Sequence, residues 1–150
     1  MTEAFQPDPT IAKIASAYSL DALDLASSNF GITLNWSDES IRQVEEMLGR
    51  LHDDMVQAQP PEDAVWTFAK AFGSYVGEVL RRNHGGEWGM VRLGEESFPG
   101  VQQPEGRLCW PWGRAYKRIV IGPEENMWHY YHILIKDPAK PGADLDGGGG

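Results

Sequence analysis

The stretch PPEDAVWTFAKAFGSYVGEVLRRNHGGEWGMVRL, residues 60–93, decides the fold because the spacing of its apolar residues changes part-way along it. The two prolines begin a helix. Its apolar face is wide enough to predict a central, buried helix, and comprises Val65, Phe68, Ala69, Phe72, Val76, Val79 and Leu80. Gly85 and Gly86 end this helix. The alternation of apolar residues that starts at Trp88 then predicts a strand.

Two glycines, Gly73 and Gly77, lie one turn apart within the predicted helix. Glycine weakens a helix because it leaves the backbone more free in the unfolded chain. We therefore expect another element to pack unusually close to the helix at these two positions.

The residues that precede this stretch predict two further helices. Apolar residues recur at helical spacing from Ile11 to Tyr18, with a break near Ser19. Residues 30–36 alternate as a short strand or extended link would. Ser37 is a suitable N-cap for a helix that reaches about Gln57, and the apolar stripe of that helix is Ile41, Val44, Leu48, Leu51 and Met55.

The residues that follow predict a sheet and then helices. Residues 98–102 and 107–110 are candidate strands between turns that contain proline and glycine. Helical spacing returns from Trp112 to Val120, and Pro123 opens a final helix for which a strand is the alternative. The sequence thus predicts an α+β fold, with N-terminal helices, a small antiparallel sheet in the middle and C-terminal helices.

Length and composition favour one acidic domain. We expect a flexible arm over residues 1–9, a globular domain over 10–136 and a flexible tail rich in proline, glycine and aspartate over 137–150. The net charge of −9 argues against nucleic acid or a membrane surface as a partner. One cysteine cannot form an internal disulfide, and no apolar segment is long enough to span a membrane. These features predict a cytoplasmic protein.

Three segments resemble a widespread, poorly characterised group of small bacterial proteins. They are FGITLNWSDESIRQVEEML (residues 30–48), FGSYVGEVLRRNHGGEW (72–88) and WPWGRAYKRIVIGPEEN (110–126). Together they cover about half of the chain in matching order, and none is a catalytic signature. Some members of the group occur as immunity-type or accessory proteins, so the resemblance implies a binding role. It assigns no functional residues.

The sequence offers weak candidates for metal or thiol chemistry. His129 and His132 are spaced so that one helix face could present both imidazoles to a metal, but no third ligand lies nearby. Arg107 and Arg114 lie near Cys109 in the sequence, but no Cys/His signature supplies the activating base that a reactive thiolate needs, which favours a buried thiol. We therefore predict neither a metal nor another cofactor.

Glu78, alone or together with His84, is the strongest candidate for catalysis. Burial of a carboxyl group on an apolar helix would raise its pKa and suit a general base in a small hydrolase or transferase. The structural alternative is an ion pair with Arg82, which lies one turn further along the helix. No partner acid accompanies Glu78 in the sequence, so a protein that is not an enzyme is the preferred interpretation.

Two surface patterns favour protein binding. Residues 38–63 contain eight acidic and two basic side chains, and Glu45, Glu46, Asp53 and Asp54 are expected on an exposed helix face that attracts a basic partner. Trp110, Trp112 and Tyr116, interleaved with basic residues, are expected to anchor that partner. The resulting hypothesis is an immunity-type inhibitor that occludes a basic toxin or enzyme. A housekeeping accessory or scaffold protein is a further alternative.

Overall fold

The computed structural model describes residues 3–136, in which a four-stranded antiparallel sheet is set among α-helices. In chain order the elements are β1 (Glu3–Pro7), α1 (Pro9–Phe30), α2 (Ser40–Ala58), α3 (Glu62–His84), β2 (Glu87–Leu93), β3 (Glu96–Gln102), β4 (Leu108–Cys109), α4 (Pro111–Val120), a single 3₁₀ turn (Pro123–Glu125) and α5 (Met127–Lys136). The predicted α+β layout, in which helices precede and follow a central antiparallel sheet along the chain, is confirmed.

Helix α3 is the central element, and every residue from Ala71 to Leu80 is buried. It packs against α1 and α4. The expected close approach at the two glycines is present: a Cβ atom at Gly73 would lie 2.7 Å from the carbonyl oxygen of Pro111, and one at Gly77 would overlap the Trp88 ring. The two glycines therefore set how closely α4 and β2 pack against α3.

The strands are arranged in the order β1-β2-β3-β4, and every neighbouring pair is antiparallel. The sequence predicts a flexible arm over residues 1–9, but Glu3–Pro7 forms strand β1, which pairs with β2. Backbone pairing with β2 stabilises this short polar segment. Its apolar content is too low for a strand to be predicted from the sequence. The tail predicted for 137–150 lies outside the described residues.

One other local expectation is wrong. Helix α1 continues through Ser19, whose hydroxyl group donates to the carbonyl oxygen of Ser16 at 2.6 Å and so satisfies a buried polar group within the helix. Of the two alternatives for residues 30–36, the extended link is present and the strand is not, because residues 31–36 form a loop. That loop begins at Gly31, which adopts a left-handed conformation and ends α1.

The final segment is helical, so the strand alternative is excluded. Among residues 3–136, no helix combines the length and apolarity needed to cross a bilayer.

Candidate functional site

Glu45 does not lie on an exposed acidic face, contrary to expectation. Its carboxylate accepts hydrogen bonds from Arg118 Nε at 2.8 Å and from the backbone N–H of Met127 at 2.7 Å. Only 16% of the Glu45 side chain and 8% of the Arg118 side chain are exposed. This carboxylate joins α2 to α4 and to the first residue of α5.

The other three acidic residues predicted on α2 are exposed. Glu46 forms an ion pair with Arg50 at 3.9 Å. Because water screens this exposed pair, it contributes little to the stability of the fold. Asp53 and Asp54 lie towards the C-terminal end of the helix. The exposed acidic surface of α2 is therefore smaller than the sequence predicts.

The three aromatic residues predicted to anchor a partner separate into two places. Trp110 packs edge-on against Phe98 of β3, with ring centroids 6.5 Å apart. Trp112 and Tyr116 lie one turn apart on α4 and face the first half of α3. The indole N–H of Trp112 donates to Ser74 Oγ at 2.7 Å, which fixes the orientation of its ring.

Trp112 and Tyr116 adjoin a groove between α1 and α3 that we call the aromatic groove. Its volume is about 390 Å³, and its lining comprises Tyr18, Asp21, Leu25, Asp63, Trp66, Thr67, Lys70 and Ala71. The Trp66 ring stacks on Tyr116, with centroids 4.1 Å apart and planes 14° apart. The Tyr18 ring meets Trp112 edge-on at 5.8 Å. Two aromatic pairs thus support the groove.

Three carboxylates accompany these rings. Asp21 and Asp63 line the groove and are exposed, and within residues 3–136 neither carboxylate takes part in a hydrogen bond or ion pair. Glu62 accepts a hydrogen bond from the Tyr116 hydroxyl group at 3.3 Å. Burial, followed by the charge of Glu62, raises the pKa of Tyr116, so this hydroxyl group stays protonated. The groove combines aromatic surface with two carboxylates that form no ion pair within residues 3–136.

Glu78 is buried, and two arginines and a tryptophan surround its carboxylate. Its carboxylate accepts hydrogen bonds from Arg81 Nε at 2.9 Å and from the Trp88 indole N–H at 2.8 Å, and it lies 3.6 Å from Arg82 Nε. Burial acts to raise the pKa of Glu78, but these hydrogen bonds and positive charges outweigh it and hold the pKa below its ordinary value. The expected rise in pKa is wrong, and the ion-pair interpretation is confirmed.

His84 is not brought to Glu78; it bonds to Asp38 instead. The His84 Nε2 atom lies 2.9 Å from Asp38 Oδ2, while Oδ1 accepts from the Tyr131 hydroxyl group at 2.6 Å and from Asn83 Nδ2 at 3.1 Å. Partial burial acts to raise the pKa of Asp38, but these three partners hold it below its ordinary value. An imidazole paired with a carboxylate could in principle activate water. Here the carboxylate also ties the loop before α2 to α3 and α5.

Trp36, in the same loop, has a left-handed backbone conformation with φ 67°, which is rare for a bulky residue. The surrounding side chains hold it there. Its N–H donates to the Tyr75 hydroxyl group at 2.8 Å, its carbonyl oxygen accepts from Asn83, and the Arg82 guanidinium lies 3.8 Å from the centroid of its ring. Arg82 therefore contacts both Glu78 and Trp36.

The remaining candidates show no reactive setting. Cys109 is fully buried, and its Sγ lies 3.6 Å from the carbonyl oxygen of Val101, which confirms the buried thiol. His129 is exposed and His132 packs against Trp128. Across the described ranges, no three His, Cys, Asp or Glu side chains cluster as metal ligands would.

Sequence reasoning missed the lining of the aromatic groove, all of which comes from α1 and α3. Helical spacing places Tyr18 on the apolar face of α1, and it gives Trp66 no role. One signal was present: Trp66 lies outside the apolar stripe of α3, and a large aromatic residue there suggests a partly exposed position. The unpaired state of Asp21 and Asp63 has no signature in the sequence.

Comparison with known proteins supports the fold. No protein-family model matches the chain, and the search of curated proteins found no match either. A crystal structure of a protein from Bacteroides thetaiotaomicron is similar, with a TM-score of 0.63 and 14% sequence identity over 91% of this chain. This chain spans 48% of the length of that protein. At this level of identity the likeness concerns the fold alone, and it agrees with the resemblance to bacterial α+β proteins.

Proposed function

We propose that this chain is a cytoplasmic, non-catalytic binding protein, and specifically an immunity-type inhibitor that neutralises a basic toxin or enzyme by occlusion. The observation that carries the proposal is the aromatic groove, where Tyr18 and Trp66 lie beside Asp21 and Asp63, whose carboxylates have no partner in the described part of the chain. Partly exposed aromatic rings in a groove are the features that anchor protein partners.

Charge supports the same proposal. The chain has a net charge of −9, and acidic side chains are exposed at the groove and on α2. Such a surface accelerates association with a basic protein and selects against acidic ones. An inhibitor that must intercept a toxin before it acts benefits from fast association.

The environment of Glu78 argues against the hydrolase or transferase alternative. A carboxylate that two arginines hold in its charged form is a weak base, and the structure pairs His84 with Asp38 rather than with Glu78. An accessory or scaffold protein would use the same binding surface, and an assay for inhibition of the captured partner distinguishes it from an inhibitor.

The test is affinity capture from a lysate of the native host, washed at low and high salt. Three charge-reversal pairs are compared with the unmodified protein: Asp21→Lys with Asp63→Lys in the groove, Glu46→Lys with Asp53→Lys on α2, and Glu95→Lys with Glu96→Lys at the exposed turn between β2 and β3. The three variants change net charge equally, so a difference between them reports on position.

We expect one basic protein to be retained at low salt, weakened at high salt and lost from the groove variant, while the variant at the β2–β3 turn retains it. The purified partner should lose its activity when this protein is added. Capture that all three variants weaken equally would point to non-specific charge attraction and contradict the proposal. A partner lost only from the α2 variant would move the binding surface to α2.

A further inference from the structure

We infer that the aromatic groove is a site for a guanidinium group, and that it captures an arginine side chain of the partner. This inference rests on the proposed function for the identity of the arginine's source, but the chemistry of the site can be tested alone.

Each ring of the aromatic surface is packed against a neighbouring ring. Trp66 stacks on Tyr116, and Tyr18 meets Trp112, whose ring is fixed by its hydrogen bond to Ser74. Rings held in place by neighbours lose little freedom when a ligand stacks on them. A cation near the face of a tryptophan is attracted by the ring quadrupole.

Elsewhere in the chain, tryptophan rings already carry cations. The Arg82 guanidinium lies 3.8 Å from the centroid of Trp36, and the Arg42 guanidinium lies 4.2 Å from that of Trp128. Trp66 has no such cation among residues 3–136, although it lines a groove with two carboxylates. The groove therefore presents an aromatic surface and negative charge without the guanidinium that two other tryptophans of this protein have.

Lys70 also lines the groove, one turn along α3 from Trp66. Its Nζ atom is 5.7 Å from the centroid of Trp112, and in the described part of the chain it forms no ion pair with Asp21 or Asp63. Both carboxylates remain available to an incoming group, and the site keeps a net negative charge.

The combination favours guanidinium over ammonium. A guanidinium group is flat, stacks on an aromatic ring and can bond a carboxylate through two N–H groups at once, whereas an ammonium group is a compact and strongly hydrated charge. The groove volume of about 390 Å³ accommodates one long side chain with its flanking backbone.

The test uses three blocked tripeptides, glycine-X-glycine, in which X is arginine, lysine or citrulline. Citrulline has nearly the shape of arginine and no charge. Binding to the full chain is followed by the ¹H–¹⁵N signal of the Trp66 indole N–H, assigned with the Trp66→Phe variant. We expect the arginine peptide to shift this signal saturably, the lysine peptide to bind several-fold more weakly, and the citrulline peptide to leave the signal unchanged.

The double variant Asp21→Asn with Asp63→Asn should lower the affinity for the arginine peptide by about tenfold, because it removes both charge-assisted contacts. Glu95→Gln with Glu96→Gln makes the same change in charge away from the groove and should leave the affinity unchanged. Equal binding of arginine and citrulline peptides would overturn the inference, and so would a Trp66 signal that does not respond to arginine. Equal loss in both variant pairs would also overturn it.

The outcomes separate this inference from the proposed function. A basic protein captured through the groove, combined with no response to the arginine peptide, would refute the guanidinium site and leave the binding role standing. A specific response to arginine with no captured protein would support the site and refute the proposed function.

Discussion

At the scale of single residues, Glu78 shows how a buried charge is kept. Its side chain is 3% exposed, yet hydrogen bonds from Arg81 and Trp88 and the charges of Arg81 and Arg82 stabilise the carboxylate more than burial destabilises it. The two arginines extend towards solvent, with about two-fifths of each side chain exposed. The arrangement links the end of α3 to the start of β2.

We predict that Glu78→Gln destabilises the fold by about 1–3 kcal/mol, because the arginines lose their buried partner while the amide keeps the shape of the side chain. Denaturation by urea at pH 7 measures the change. Glu96→Gln, at an exposed position of β3, is the control and should change the free energy of unfolding by less than about 0.5 kcal/mol. An equally small change in the unfolding free energy of Glu78→Gln would show that the ion pairs of Glu78 make no net contribution to stability.

Acid should reduce the stability of the unmodified protein through Glu78 and Asp38. The folded protein holds the pKa of each group below its ordinary value, which is 4.5 for Glu78 and 3.8 for Asp38. The stability that each contributes is therefore fully present above its ordinary value and is lost as the pH falls through the lower folded value.

The difference in unfolding free energy between the unmodified protein and Glu78→Gln should accordingly shrink as the pH falls from 7 to 3. Urea denaturation at a series of pH values measures it. A difference that stays constant over this range would contradict a lowered pKa at Glu78.

At the scale of elements, the crossing of α3 and α4 depends on Gly73. A methyl group there would meet backbone atoms of Pro111 and Trp112, which cannot move without α4. We predict that Gly73→Ala destabilises the fold by about 1–3 kcal/mol, as overpacking does. Thermal denaturation followed by circular dichroism measures the change.

Gly113→Ala is the matched control, because Gly113 lies in α4 and a Cβ atom there would contact only Trp110 Cβ, at 3.9 Å. It should stabilise the fold by about 0.5–1 kcal/mol through the reduced freedom of the unfolded chain. If both alanine variants shift stability in the same direction, the close approach of α4 is not what requires glycine at position 73.

Glu45 connects three helices, and its neighbour Glu46 provides an internal control. Glu45→Gln should lower the free energy of unfolding by about 1.5–3 kcal/mol, because it weakens charge-assisted bonds to Arg118 and to the backbone of Met127. Glu46→Gln should change stability by less than about 0.5 kcal/mol. Equal effects, measured by urea denaturation, would place both residues on the exposed face that the sequence predicts.

Much of the element pattern could be predicted from the sequence, since apolar spacing reports which helix faces are buried. It located α2, α3, α4 and the three later strands within a few residues. Periodicity does not report interactions between distant segments. Strand β1 is stabilised by pairing with β2, and Glu45 is buried by Arg118, which lies 73 positions away.

At the scale of the whole molecule, the sequence predicts two aromatic residues that adjoin the candidate site but none of those that line it. Trp112 and Tyr116 were identified from aromatic residues interleaved with basic ones, but the groove exists because Tyr18 and Trp66 come from two other helices. Tertiary packing alone decides which aromatic residues of an amphipathic helix meet those of another.

Strand β1 closes one edge of the sheet, and we predict that its loss exposes β2 to other molecules. Removal of residues 1–7 should lower the thermal midpoint and promote self-association, because the unpaired N–H and C=O groups of β2 form a template for another strand. Sedimentation velocity at several concentrations measures the association. A protein whose first seven residues are replaced by a glycine–serine segment of the same length controls for chain length and should behave like the truncated form.

The pairing of β1 with β2 also has a consequence in time. Pro7 and Gly89 are partners across the sheet but lie 82 positions apart in the chain. At a synthesis rate of about 5–20 residues per second, β1 leaves the ribosome roughly 4–16 seconds before its partner does. During that interval the strand has no sheet to join. Strand β1 is short and polar and ends in a proline, and these features limit its pairing with other chains. The polar character that makes β1 hard to predict from the sequence therefore also protects it from aggregation during synthesis.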